Sequence, residues 1–69
     1  MVALPTVGQS FDIEIARELD GWLIRIPEID GAARARRRDM VESVARDVIA
    51  RQTGIPAGYV GIFVASETV

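Results

Sequence analysis

Two runs of alternating apolar and polar residues, separated by Asp20-Gly21, constrain this chain more than any other feature. In the first run Phe11, Ile13 and Ile15 point one way, and Asp12, Glu14 and Ala16 the other. Trp22, Ile24 and Ile26 repeat the pattern, with Leu23 and Arg25 opposite. Strict period-two alternation of aromatic and β-branched residues marks a strand with one buried face. An Asp-Gly pair between two such runs supplies the positive φ angles of a tight hairpin turn. With Asp20 and Gly21 as the loop, Leu19 is expected opposite Trp22, Ile15 opposite Ile26 and Arg17 opposite Ile24. Both apolar sets then share one face. Arg17 is the exception on that face, tolerable because an arginine near a sheet end snorkels to water.

Pro27 ends the second strand because it has no N–H to donate. Residues 27–31, Pro-Glu-Ile-Asp-Gly, read as a loop that turns at Asp30-Gly31. Residues 32–36 alternate alanine with arginine and suggest a short third strand. A helix follows, from about Arg38 or Asp39 to Arg51. Its apolar face comprises Met40, Val41, Val44, Ala45, Val48 and Ile49. Asp39 is placed as N-cap with Glu42 three residues on, in a capping-box-like pair. Arg38–Glu42, Glu42–Arg46 and Asp47–Arg51 stand at i,i+4. Gly54 and Pro56 stop the helix. The nearly continuous apolar run from Tyr59 to Ala65 is a last strand, expected to be covered on both faces or paired centrally. The fold class is therefore α+β: β-β-β-α-β, a largely antiparallel sheet with one amphipathic helix on one face. Residues 1–9, interrupted by Pro5 and Gly8, read as a flexible arm, and residues 10–69 as one domain.

The chain has 69 residues, 49% of them apolar, which suits a small folded domain and not a disordered one. With no cysteine, neither a disulfide nor a thiolate metal site can brace it. A core this small makes association with a second copy or a partner an expected source of stability. The formal net charge of −2 sets up no overall attraction for nucleic acid, although all cations are arginines. No apolar run approaches the roughly 20 residues of a membrane span, and the first residues do not resemble a secretion signal. The expected location is cytoplasmic.

Histidine is absent as well as cysteine, which removes the usual proton shuttle, the thiol nucleophile and the commonest transition-metal ligands. No glycine-bearing loop matches a phosphate-cradling motif. The expectation is a protein that is not an enzyme and carries no cofactor. Asp12 and Glu14, two apart on a strand, share a face and with a third acid would suit a divalent cation. A solvated strand face, neutralised by Arg25 across the hairpin, accounts for them more simply. Arg34, Arg36, Arg37 and Arg38 form the other cluster. It reads as protection of a sheet edge, as a patch for an acidic partner, or as a patch for nucleic-acid phosphates. Trp22, just after the turn, is a binding candidate if partly exposed. The candidate partner-binding residues are thus Asp12, Glu14, Trp22, Arg25, Arg34, Arg36, Arg37 and Arg38.

The strand, the acidic Asp-Gly turn, Trp22-Leu-Ile-Arg-Ile26 and Pro27-Glu-Ile-Asp-Gly31 together resemble the HicB-like antitoxin domain. In that family an aromatic-led strand runs into a Pro-acid-aliphatic-x-Gly segment and then a helix rich in alanine and acids. Here that helix holds Met40, Val41, Val44, Ala45, Arg46, Asp47 and Ile49. The likeness covers about Phe11 to Arg51, and Tyr59 to Ala65 fits the family's last strand. It implies a partial ribonuclease-H-like fold without nuclease activity. It also implies a domain that neutralises a small HicA-type mRNA-cleaving toxin by covering its active surface. Many members add a carboxy-terminal DNA-binding domain; with this chain ending at Val69, a stand-alone antitoxin domain and a homodimer or larger assembly are expected. Ala32 stands where the family usually has a cysteine or similar residue. The competing expectations are a nucleic-acid-binding module using Arg34, Arg36, Arg37 and Arg38, and a metal-dependent hydrolase using Asp12 and Glu14.

Overall fold

The computed structural model describes residues 8–69. Residues 1–7, most of the expected arm, lie outside the described residues, while Gln9 already belongs to the first strand. Four strands, β1 (Gln9–Glu18), β2 (Gly21–Ile26), β3 (Gly31–Ala35) and β4 (Val60–Thr68), form one sheet in the order β3-β2-β1-β4. One helix, α1 (Val41–Thr53), packs on one side of it. The molecule is a small α+β fold, as its alternation implies.

The sheet is mixed: two of its three pairings are antiparallel, as expected, and the third is parallel. β1 pairs antiparallel with β2, β2 with β3, but β4 runs parallel to β1. The cause is the connection. Tight turns reverse the chain between the first three strands, whereas α1 carries it back along the sheet so that β4 starts beside the start of β1.

Phe11, Ile13 and Ile15 of β1, Trp22, Ile24 and Ile26 of β2, and Val41, Ala45 and Ile49 of α1 form the buried core with Ala35 and Val60. Ile13, Ile24, Ile26, Val41, Ala45 and Ile49 are wholly shielded from solvent. The helix stripe is narrower than its sequence suggests. Val44 and Val48 flank it half-buried, and Met40, expected within it, is 40% exposed. Met40 sits in a tight 3-10 turn (Arg38–Met40) that precedes α1, so it faces a different way from the helical residues.

The helix ends as its glycine predicts. Gly54 adopts φ +80°, and its N–H donates to the Ala50 carbonyl at 2.9 Å. Thr53 Oγ1 donates to the Ile49 carbonyl and accepts from the Ile55 N–H, which closes the last turn. The amino-terminal end differs. Asp39 makes no capping hydrogen bond; it pairs with Arg37 instead, and Glu42 turns to Arg38. The expected Glu42–Arg46 pair is also replaced, because Arg46 Nε donates to the Val60 carbonyl at 3.1 Å.

The hairpin forms where expected but in a shifted register. Glu18 lies opposite Gly21, Arg17 opposite Trp22 and Ile15 opposite Ile24, so the loop is Leu19-Asp20. The shift is two residues. An even shift preserves which face each side chain occupies, so the buried rows are as read from the sequence. Leu19, expected in the core, is instead fully exposed at the turn. Gly21 carries the positive φ, +143°, and a Cβ there would collide with the Ala35 carbonyl of the β3 end. Glycine is needed twice over: for its backbone angle and for that close approach. At the next turn Asp30 takes the left-handed conformation, φ +52°, where its short polar side chain is tolerated.

Replacing Gly21 with alanine should lower stability by about 2 kcal/mol or more, because strain and a backbone collision add. Chemical denaturation of the G21A variant measures this; a loss below about 0.5 kcal/mol would contradict the close-approach account.

Candidate functional site

Two regions collect the residues singled out in the sequence. The first is the sheet face turned away from α1. Asp12 and Glu14 of β1, Leu23 and Arg25 of β2 and Arg34 of β3 stand on it, with Glu14 directly opposite Arg25 and Leu23 opposite Arg34. Alternation puts them there, since each is out of phase with the buried rows. Arg34 reaches across β2 to pair with Glu18 of β1. No other element covers this face among the described residues. Acids and arginines are interleaved around the apolar surface of Leu23, Ala16 and Ala32.

Phe63 of β4 joins the same surface, lying beside Asp12 in the parallel ladder and 60% exposed. This corrects the reading of the last strand as covered or central. β4 is an edge strand paired on one side, so only Val60, Ile62 and Val64 are shielded to any degree. Tyr59, expected to begin that strand, belongs to a 3-10 turn before it and is 55% exposed. An exposed phenylalanine was missed because a continuous apolar run does not reveal which of its faces lacks a cover.

The second region is the hairpin end, where a cleft of about 730 Å³ is bounded by Arg17 to Trp22 and by Arg36, Arg37 and Arg38. Trp22 is not the exposed anchor envisaged. It is only 8% exposed, belongs to the buried core, and has two guanidinium groups near its ring. The guanidinium carbons of Arg17 and Arg38 each lie 5.9 Å from the ring centroid. The shifted hairpin register makes the first contact, turning the one misplaced arginine into a cross-strand cation–π partner of Trp22. That pairing was legible only once the true loop was known.

Arg38 holds three elements together. Its Nε and Nη2 reach the two carboxylate oxygens of Glu67 on β4 at 3.1 and 3.2 Å. Its Nη1 reaches both oxygens of Glu42 on α1 at 3.1 and 3.2 Å. These bonds, first Glu67 and then Glu42, push its pKa up, against the opposing effect of desolvation. Glu67 is available because the β1–β4 register shifts between Ile13 and Glu14, where Ala65 is left unpaired. The shift brings Glu67 level with Ile15, on the helix side of the sheet. So Arg38, one of the four clustered arginines, is neutralised by two carboxylates.

The remaining arginines differ in their company. Arg34 and Arg37 make exposed ion pairs with Glu18 and Asp39, a class of contact worth little in energy. Arg17 and Arg36 make no ion pair among the described residues. β3 is indeed an edge strand, and Arg34 stands on it as edge protection requires. Asp12 and Glu14 do not form a cation site; no group of three or more potential ligands is assembled among the described residues. Among those residues, too, no helix is long and apolar enough to cross a membrane.

No family model, curated protein or solved structure matches the chain.

Removing the Arg38 side chain (R38A) should expose the single tryptophan and unfasten β4 from α1. The expected result is a red-shifted emission maximum and a stability loss of about 1 kcal/mol, with a smaller red shift for R17A. Unchanged emission in R38A would refute the packing of Arg38 on Trp22.

Proposed function

We propose that this chain is a protein-interaction domain of the HicB-like kind, which binds and neutralises a small basic, RNA-cleaving toxin in the cytoplasm. The observation that carries this reading is the uncovered sheet face, where Asp12 and Glu14 stand in a row beside Phe63 and Leu23. Phe63 has Asp12 as its ladder neighbour, with Arg25 and Arg34 further across the face, so the acids stand nearest the apolar anchor and suit a basic partner, and complementary charge sets orientation and speeds encounter. The succession of three strands, a helix and a final strand agrees with what the HicB-like resemblance implies. The absence of histidine and cysteine favours binding over catalysis.

The test is co-purification with a small basic protein encoded beside it. The double variant D12K/E14K should weaken the complex at least tenfold, about 1.4 kcal/mol, with the fold intact by circular dichroism. If the neighbouring product neither binds this chain nor is toxic alone, the reading fails.

A second reading rests on the cleft at the hairpin end. Arg17 and Arg36 lack ion-pair partners among the described residues and line it with Arg37 and Arg38, an arrangement suited to phosphate oxygens. It requires binding to single-stranded RNA that weakens steeply with salt and is lost in R17A/R36A. No mobility shift at low salt would exclude it.

A further inference from the structure

The two edges of the sheet are unlike. β3, at one edge, is five residues long and carries Arg34, with Arg36 just beyond. β4, at the other, is nine residues long, and Val60–Ala65 contains no charge and no proline. A long uncharged edge presents free N–H and C=O groups to any strand that fits. Natural edges of this kind are blunted or used.

We infer that the β4 edge pairs with the β4 edge of a second copy of this chain, antiparallel about a two-fold axis at Phe63. Three observations select that occupant and register. The usable ladder is bounded on both sides: the Val60 carbonyl is already taken by Arg46 Nε, and Ala65 is the residue left out where the ladder shifts. The centre of the open stretch Gly61–Ala65 is Phe63. Pairing there sets Phe63 against Phe63 of the second copy, Ile62 against its Val64 and Gly61 against its Ala65. Each Phe63, now 60% exposed, then gains an aromatic neighbour on the face it already occupies.

Charge is the third observation. Gly61–Ala65 carries no charged residue, so no like charges meet along the ladder. A two-fold axis normal to the sheet makes one eight-stranded sheet with both helices on the same side and the open faces merged on the other. The pairing also answers the small size of the core, which holds eleven buried apolar residues among the described ones.

The purified full chain alone tests this, so its outcome is independent of any partner protein. Sedimentation equilibrium should give twice the monomer mass, and F63K should give the monomer with an unchanged circular dichroism spectrum. The chain has no cysteine, so F63C supplies a single reporter. Residues paired directly across an antiparallel ladder lie about 4.5–5.5 Å apart, within the span a disulfide bridges. F63C should therefore form a cross-linked dimer under mild oxidation at least tenfold faster than E28C, placed in the exposed turn after β2. A monomeric wild-type chain at millimolar concentration, or equal cross-linking of the two cysteine variants, overturns the inference.

Discussion

The packing of one helix against one face of a four-stranded sheet is the constraint on which the rest depends. Phe11, Ile13 and Ile15 lie on β1, the strand that pairs with both β2 and β4, and their apolar row must be shielded from water. Val41, Ala45 and Ile49, each one helical turn apart, are the residues that shield it. Ala45 at the middle of that row keeps the helix close to the strands. Because a single helix covers a single face, the opposite face has no cover among the described residues, and the candidate contact residues on it follow from that division.

Charge is used in two distinct ways around this core. On the open face, acids and arginines alternate with apolar residues and remain available. At the hairpin end, Arg38 serves the structure: three nitrogens of one guanidinium engage Glu42 and Glu67 while its carbon lies 5.9 Å from the Trp22 ring centroid. A planar fork with several donors can do this, and an ammonium group cannot. Arg17 covers the same ring from β1. The indole therefore belongs to the apolar core and is also met by two cations.

Much of the fold was legible because it is written in local patterns. The alternation of β1 and β2, the stop at Pro27, the glycine that ends α1 and the row facing the helix were all readable, and the structure has them. The misplaced features share one cause. The hairpin loop moved by two residues because Gly21 answers to β3, a strand that contacts it from afar in sequence. Asp39 was a sound N-cap by local rules, yet Arg37 engages it and a 3-10 turn precedes the helix. On the open face Asp12, Glu14, Arg25 and Arg34 fell together as their alternation required, whereas Trp22 proved buried and Phe63 exposed.

The amino-acid order by itself determined the element types, the buried parity of each strand and the residue types on offer for chemistry, because propensity, alternation and capping act within a few residues. Only the tertiary structure decided that β4 lies parallel to β1 at an edge, that the β1–β4 ladder shifts at Ala65, and that Arg38 joins β2, α1 and β4. Those depend on which strands meet after the helical crossover. A strand carries the same apolar run whether it has one neighbour or two, so its place in the sheet is settled by the packing of the whole chain.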